Sequence, residues 1–446
     1  MTTAPAPLTW LGIARLGCVQ AALGAIVVLT TSTLNRVMVV ELALPAIVPG
    51  SLVALHYIAQ VLRPRLGYGS DTGGRRTPWI IGGMALLTAG GIGAAGATVL
   101  MATHLAAGIA LALLAFLAVG IGVGASGTSL LVLLAKRVAP ARRAPAATIV
   151  WLMMIAGIAI TATIGGKLLQ PFSPERLMAV ATVVAIAALL MTLLAVWGME
   201  GTAALAAATA PAAPQPRFMT ALGEVWREAQ ARRFAIFVFV SMLGYSAQEL
   251  VLEPFAGAVF GLAPGESTRL TGLQHGGVLA GMLLVAFGGS LAGEFRAKAM
   301  RAWTMGGCAA SALALLVLAA GGLAGPGFPL QPAVFVLGAA NGAFAVSAIG
   351  AMMGLAGQGR ESREGVRMGL WGAAQALAFG LGGLFGTGAS DVARAVLGAP
   401  DLAYAAVFCA EAVIFLAAAW LAASVFQSGG AVRSASAPAI AAAQVN

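Results

Sequence analysis

Six polar side chains that could do chemistry lie within long apolar stretches of this chain. They are His56, Gln248, Glu249, Glu253, Gln274 and His275. Glu249 and Glu253 are four residues apart, so both would lie on one face of a helix, where two like charges repel. Such a pair can relay a proton, or it can be a structural or ligand-binding polar cluster that Arg36 or Arg269 satisfies. We favour the cluster, because the sequence does not establish proton coupling.

A second group of polar residues lies at the end of the first apolar stretch. It consists of Asn35, Arg36 and Glu41. Arg36 and Glu41 are five residues apart, across the expected end of a helix. This spacing favours an interface ion pair over a clamp that binds a substrate.

The composition indicates where these polar groups must function. The chain has 446 residues, of which 60% are hydrophobic and 9% charged, against about 25% charged in a typical soluble domain. Apolar runs near or beyond the roughly 20 residues of one membrane crossing recur along the chain. These figures predict a multi-pass integral membrane protein and exclude secreted, nuclear and cytosolic soluble classes. An ionisable group inside such a span is costly unless it is paired or faces a cavity, so each one marks a candidate site.

Hydropathy and the positions of charged, Pro-rich and Gly-rich stretches predict an all-α fold of twelve transmembrane helices. The expected spans are 17–36, 42–62, 78–100, 104–135, 145–168, 177–198, 234–258, 270–292, 302–323, 330–356, 367–389 and 402–425. They form two pseudo-symmetric six-helix bundles, over residues 1–198 and 234–426. A cytoplasmic linker with a short amphipathic segment joins them over 199–233, and a disordered tail follows over 427–446.

The basic residues predict the orientation of the helices. With the N-terminus in the cytoplasm, 20 of the 25 Lys and Arg residues fall in cytoplasmic segments, and the division alternates loop by loop. We therefore expect both termini in the cytoplasm. The formal net charge of +10 is then a topology signal, and no nucleic-acid partner is expected.

The sequence shows no pattern typical of an enzyme or of a protein-bound metal ion. No Walker sequence, Ser/His/Asp set or zinc-ligand spacing stands out, and the Gly-rich runs lie inside apolar spans with no preceding strand. Cys18, Cys308 and Cys409 lie alone within apolar segments, where cysteine acts as a small apolar residue. We expect no enzymatic activity.

A Gly-rich basic loop follows the second predicted span. Its characteristic positions are Gly67, Asp71, Gly74, Arg75 and Arg76. The glycines allow a tight turn, Asp71 can cap the next helix or pair with an arginine, and the two arginines anchor the cytoplasmic edge. The loop resembles the G-x-x-x-D-R-x-G-R-R loop of the major facilitator superfamily, with Thr72 where that family usually has arginine. Residues 293–301 are a degenerate copy in the second half, as internal duplication would leave.

The segments around these positions resemble a narrower family. Residues 32–42, 52–57, 67–71, 75–80, 246–255 and 274–278 are similar to the PucC/LhaA family, and the resemblance extends over essentially the whole membrane domain. It implies an assembly factor for bacterial photosynthetic light-harvesting antenna complexes, which binds or delivers bacteriochlorophyll in the inner or intracytoplasmic membrane. The implied partners are antenna polypeptides, and the reaction-centre core complex or pigment-synthesis enzymes, besides the lipid bilayer.

This resemblance gives His56 and His275 a specific interpretation. Each lies in the second helix of its half, ahead of that half's basic loop, so pseudo-symmetry could relate them. Neutral imidazole is a good axial ligand for the magnesium of a chlorin, which makes both histidines candidates for transient bacteriochlorophyll contact. The alternative is a buried histidine that hydrogen-bonds to a neighbouring helix. No other cofactor is expected.

Two other functions remain open. One is a proton-coupled secondary transporter of a small solute that uses Glu249 and Glu253. The other is a scaffold with a transporter-like fold and no bound ligand. The degenerate second basic loop and the scarcity of central charges weigh against a strongly ion-coupled pump, so antenna assembly is the favoured interpretation.

Overall fold

The computed structural model describes residues 8–60, 75–139, 142–200, 226–291, 296–356 and 364–435. Every regular element within these ranges is a helix. Long apolar runs fold in this way because a helix satisfies its backbone hydrogen bonds within one segment, which a membrane interior demands. The prediction of an all-α protein is therefore confirmed.

The helices of the first half are numbered along the chain. They are α1 (Trp10–Glu41), α2 (Ile47–Ala59), α3 (Thr77–Met101), α4 (Leu105–Arg137), α5 (Arg143–Leu168) and α6 (Pro174–Val196). The second half repeats the arrangement. Its helices are α7 (Ala229–Phe260), α8 (Pro264–Leu291), α9 (Arg296–Ala324), α10 (Leu330–Ala356), α11 (Glu364–Leu397) and α12 (Pro400–Ala435).

Length and hydropathy show that this is a multi-pass membrane protein. In the described part of the chain, ten helices are long and apolar enough to cross a membrane. α2 is a shorter apolar helix, and α11 is not among the ten. The count of twelve spans and the cytoplasmic location of the termini therefore stay predictions.

Residues 42–46, the predicted start of the second span, form a connection between helices instead. Ala43 has a positive φ of 51°, and Pro45 has no backbone N–H to donate within a helix. The predicted boundary at residue 42 is therefore wrong by several residues. α1 continues to Glu41, and α2 begins at Ile47.

Several predicted features lie partly or wholly outside the described residues. These include Gly67, Asp71 and Gly74 of the basic loop, most of the linker, and the last residues of the tail. α7 begins at Ala229, inside the predicted linker, and α12 continues to Ala435, past the predicted start of the tail.

Glu200 caps the beginning of α3 from the far end of the first half. Its carboxylate accepts the backbone N–H groups of Arg76 and Thr77 at 2.7 and 2.8 Å. The first N–H groups of a helix lack partners within the helix, so an acidic side chain there is stabilising. Glu200 thus caps this helix, whereas Asp71, for which the sequence suggested the same role, lies outside the described residues.

α1 contains two π-helical stretches, Leu29–Thr33 and Val37–Glu41, on either side of a short α-helical segment. In a π-turn each N–H bonds five residues back, so the helix widens locally and the residues that follow are rotated. The hydroxyls of Thr30 and Thr31 donate to the Val27 carbonyl at 2.8 and 2.9 Å, which keeps this carbonyl bonded where the helix widens. The polar residues buried in this region include Thr33, Asn35 and Arg36.

The most extensive contacts between the two halves are those of α5 with α8 and of α2 with α11. Small residues bring the backbones of α5 and α8 together. A Cβ added at Gly272 would lie 2.8 Å from the backbone nitrogen of Thr163, and one at Gly166 would lie 2.5 Å from the carbonyl oxygen of Gly265. Membrane helices associate closely through such residues, because lipid offers no hydrophobic driving force between helices.

An aspartate of the second half caps a helix of the first half. The Asp391 carboxylate on α11 accepts the backbone N–H groups of Ala46 and Ile47 at 2.9 and 2.8 Å. Arg394 holds the same carboxylate at 2.6 Å. The beginning of α2 is therefore fixed to α11 by hydrogen bonds as well as by packing.

Replacing Asp391 by alanine is expected to cost about 1 kcal/mol, the usual contribution of a helix N-cap. Asp391→Asn keeps one acceptor oxygen and is expected to lose less. Thermal unfolding of the purified variants in detergent measures both effects. Equal midpoints for wild type and Asp391→Ala would show that the cap does not stabilise the contact between the halves.

Candidate functional site

Glu253 is the centre of a buried group of hydroxyls between α7 and α8. One carboxylate oxygen accepts hydrogen bonds from Ser267 and Thr268 at 3.3 and 3.4 Å, and the other accepts one from Thr271. The Glu253 residue is 1% exposed. Hydroxyl donors satisfy the carboxylate oxygens, which would be costly to bury without partners.

Thr271 extends this group to the second glutamate. Its hydroxyl donates to Glu253, and its backbone carbonyl accepts the Nδ1–H of His275 at 3.0 Å. The other ring nitrogen of His275, Nε2, lies 3.5 Å from the Glu249 carboxylate. A continuous polar chain therefore runs from Glu253 through Thr271 and His275 to Glu249.

The structure thus gives Glu249 and Glu253 separate partners. They share one face of α7, as their spacing predicts, but each carboxylate contacts a different residue of α8. Arg36, which the sequence offered as a partner for this pair, instead binds Glu41 and the Leu262 carbonyl. The arrangement fits the polar cluster that we favoured from the sequence.

α1 approaches the same region through its polar residues. Thr33 lies within hydrogen-bond distance of Thr268, with 3.0 Å between the hydroxyl oxygens, and Asn35 donates to the Leu250 carbonyl at 2.6 Å. The Arg36–Glu41 pair that the sequence predicted is present. Gly257 makes room for it, since a Cβ there would lie 2.9 Å from an Arg36 guanidinium nitrogen. The second half is therefore bonded to α1 along this segment.

His56 belongs to a different environment from His275. Its Nε2 lies 2.9 Å from the side-chain amide of Gln60, one turn further along the chain. Its ring meets Tyr57 edge-on with 4.8 Å between centroids. His56 is 1% exposed. This environment resembles the alternative of a buried, hydrogen-bonded histidine, although Gln60 directly follows the helix that carries His56.

In each half, a glycine of the fourth helix approaches a backbone carbonyl of the second helix. A Cβ at Gly120 on α4 would lie 2.4 Å from the carbonyl oxygen of His56. In the second half, a Cβ at Gly338 on α10 would lie 2.0 Å from the carbonyl oxygen of Gln274, the residue before His275. Both histidines therefore lie where two helices pack closely, but their side chains have different hydrogen-bond partners.

The two predicted glutamines are buried without full hydrogen bonding. Both amide atoms of Gln248 lack a partner in the described part of the chain, as does Nε2 of Gln274. Gln248 is 0% and Gln274 1% exposed. Buried polar groups are normally paired, so each of these amides requires an explanation.

Aromatic rings that the sequence analysis did not select lie beside the polar chain. The ring of Tyr57 on α2 is 5.2 Å from that of Phe379 on α11, and Tyr245 on α7 is 5.9 Å from Phe379. All three side chains are partly exposed. Tyr245 is one turn before Glu249, so its helical spacing was a signal that could have identified it. The site therefore combines an imidazole, two carboxyls and half-buried rings from both halves.

Solved structures share this architecture. A bacterial homologue of the human lysosomal transporter Spinster, in an inward-facing and unoccupied conformation, is 16% identical with a TM-score of 0.67, and the likeness covers 94% of this chain and 97% of that one. The nucleoside transporter NupG is 16% identical with a TM-score of 0.64, over 93% of this chain and 99% of that one. The chain therefore has the fold of these transporters.

The family follows from the sequence comparisons. The model of the family described as PUCC protein matches residues 33–430, and the chain belongs to this family. The "Bacteriochlorophyll synthase 44.5 kDa chain" of Rhodobacter capsulatus is 53% identical over 427 residues, which are 96% of this chain and 98% of that protein. "Protein PucC" of Cereibacter sphaeroides is 32% identical over 434 residues, 89% of this chain and 88% of that protein.

Proposed function

We propose that this protein assists the assembly of bacterial light-harvesting antenna complexes and handles bacteriochlorophyll during that process. The observation that carries the proposal is its near full-length likeness, at 53% identity, to a protein whose name links it to bacteriochlorophyll synthesis. Membership of the PUCC family supports a role in the biogenesis of photosynthetic complexes. Delivery of pigment to antenna polypeptides is the finer step that experiments must test.

The geometry of His275 fits a contact with the pigment. Its Nδ1–H is committed to the Thr271 carbonyl, so the lone pair of the neutral ring is on Nε2. Bacteriochlorophyll, when bound, would supply a magnesium that a nitrogen ligand could hold and a flat ring that could pack on aromatic side chains. In this conformation the Glu249 carboxylate lies 3.5 Å from Nε2 and blocks access to it. The Glu249 side chain is 17% exposed, whereas that of His275 is 2% exposed. Displacement of Glu249 is therefore the movement that would free the nitrogen.

The proposal includes a location and partners. The chain would cross the bacterial inner or intracytoplasmic photosynthetic membrane twelve times with both termini in the cytoplasm, which the alternating division of basic residues supports. Its clients would be antenna polypeptides docked on the lipid-facing surface, together with the reaction-centre core complex or pigment-synthesis enzymes. The described helices carry many exposed apolar side chains, as such a surface requires.

Proton-coupled transport of a small solute is the second candidate. The observation in its favour is the continuous polar chain from Glu253 to Glu249 across α7 and α8. Transport requires saturable uptake of a defined solute that is abolished when both glutamates are replaced by glutamine. Loss of a solute gradient on deletion of the gene, with antenna levels intact, would favour this candidate over antenna assembly.

Replacing His275 by leucine is expected to lower the pigment bound per protein at least about tenfold, because loss of a positioned ligand group commonly costs that much affinity. The absorption spectrum of the purified protein measures this as a near-infrared chlorin band. His104→Gln is the matched control, since His104 is exposed at the start of α4. Equal bands in His275→Leu and wild type would exclude His275 as the ligand. The absence of a band from every sample, with normal antenna levels, would favour a scaffold.

A further inference from the structure

A layer of four polar side chains is buried inside the second half, on the far side of α7 from the α11 contact. Its members are Gln248 on α7, Ser311 on α9, Asn341 on α10 and Glu411 on α12, and each is 0% exposed. Ser311 donates to Oδ1 of Asn341 at 2.7 Å. Within the described residues, no partner is found for either amide atom of Gln248, for Nδ2 of Asn341 or for either carboxylate oxygen of Glu411.

Ring contacts place these residues at one level of the bundle. Phe344 on α10 lies 6.4 Å from Tyr245 on α7 and 5.6 Å from Phe415 on α12. Gln248 is three residues after Tyr245, Asn341 is three before Phe344, and Glu411 is four before Phe415. Three or four residues correspond to about one helical turn.

The directions of the helices decide whether Gln248, Asn341 and Glu411 lie on the same side of the ring layer. Later residues of α7 contact earlier residues of α12, as Gly244 meets Phe415 while Phe255 meets Phe408. α7 is antiparallel to α8 through the Glu253 and His275 contacts, and α8 is parallel to α10 through Gln274 with Gly338 and Val278 with Gly342. One turn forward on α7 and one turn back on α10 and α12 therefore reach the same depth.

A second ring layer closes the polar layer on its other side. Phe255 meets Phe408 edge-on at 4.8 Å and Tyr404 at 5.7 Å. Glu411 is three residues after Phe408, on the stripe of α12 that also carries Phe415. The layer is thus a polar section between two aromatic sections of one helical bundle.

The layer holds one carboxyl and no positive charge. Among the described residues, neither oxygen of the Glu411 carboxyl has a hydrogen-bond partner. A carboxylate taken out of water without a partner is destabilising. The other three members of the layer offer amide and hydroxyl oxygens, and oxygen ligands from carboxylate, amide and hydroxyl suit hard cations. A single negative charge balances one monovalent cation.

We propose that this layer binds one monovalent cation, with Glu411 as the charged ligand and Gln248, Asn341 and Ser311 as neutral ones. The cation is Na⁺ or a proton held by Glu411, and the shared chemistry is one positive charge. The other titratable groups nearest the layer are Tyr245 and Glu249 on α7, Cys308 on α9 and Tyr404 on α12. On α11, Arg394 lies 6.0 Å over the Tyr404 ring and pairs with Asp391. The proposed site does not include His275 and does not depend on pigment.

Thermal unfolding of the purified full chain in detergent tests the proposal. Wild type is compared in sodium chloride and choline chloride at equal ionic strength, each in acidic and in mildly alkaline buffer. If Na⁺ is the ligand, sodium raises the unfolding midpoint in alkaline buffer. If the proton is the ligand, acid raises it whichever salt is present. Glu411→Gln is expected to lose the shift, whereas Glu266→Gln, a control at the exposed start of α8, is expected to keep it.

Two results overturn the proposal. In the first, the wild-type unfolding midpoint is equal in all four buffers, and Glu411→Leu has a higher midpoint and normal antenna levels. The buried carboxyl would then only destabilise the fold and would bind no cation. The other is a shift that survives undiminished in Glu411→Gln. If Glu411→Gln does not fold, Gln248→Leu decides the question. A weaker cation-dependent shift in Gln248→Leu supports the site, and an unchanged shift overturns it.

Discussion

Replacing Glu41 by alanine is expected to destabilise the protein by about 1–3 kcal/mol, the usual cost of leaving a buried donor without its partner, because Arg36 is buried although the Glu41 side chain is 36% exposed. The Arg36 guanidinium is 2% exposed and binds only Glu41 and the Leu262 carbonyl among the hydrogen-bond partners that the structure describes. Without Glu41, a positive charge stays buried with one neutral acceptor. Because Leu262 belongs to the second half, the loss also loosens the junction between the halves.

The double variant Arg36→Met with Glu41→Leu distinguishes the effect of the ion pair from the effect of packing around it. Removal of both charges leaves no buried ion without a partner, so most of the lost stability is expected to return. Thermal unfolding of wild type, both single variants and the double variant in one detergent gives the coupling. A double variant no more stable than Glu41→Ala would mean that packing at this position, and not charge, determines stability.

Replacing Gly338 by alanine is expected to cost about 1–3 kcal/mol or more, the range for overpacking a tight interior. The added Cβ would lie 2.0 Å from the carbonyl oxygen of Gln274, and the next glycine contact, at Gly342, is equally close to the carbonyl oxygen of Val278. The atoms in the way are backbone, so no side-chain rotation can relieve the clash. α8 must move away from α10, and His275 moves with it.

Gly276→Ala is the matched control, and it lies on α8, the helix that Gly338 of α10 contacts. A Cβ at Gly276 would meet nothing within 4 Å, so this change is expected to leave the unfolding midpoint unchanged or slightly raised. Comparison of the two alanine variants by unfolding and by pigment absorption separates helix propensity from helix contact. Equal midpoints for both variants would show that the backbones of α8 and α10 tolerate separation at Gly338.

Features that depend on local spacing could be predicted from the sequence. Apolar runs of membrane length leave the backbone no stable alternative to a helix, so the all-α fold followed directly. The Arg36–Glu41 pair followed from a separation of five residues. The shared face of Glu249 and Glu253 followed from helical periodicity, since they are four residues apart on α7.

Features that depend on contacts between helices could not be predicted. Thr271 lies 18 residues from the carboxylate that it binds, and Asp391 lies 344 residues from the backbone of Ile47 that it caps. Apolar periodicity carries no information about such pairs. Likewise, the contact of His275 with Glu249 joins two helices, and spacing along the chain did not reveal it.

The two π-helical stretches of α1 make the length of this segment matter more than its composition. Deleting one residue within either π-helical stretch, between Leu29 and Glu41, would allow α-helical hydrogen bonding there and would preserve the hydropathy of the span. It would also turn the residues on one side of the deletion by about 100°. Asn35 and Arg36 would then face away from Leu250 and Leu262. Insertions and deletions, rather than substitutions among apolar residues, are therefore the changes that this helix can least accommodate during evolution.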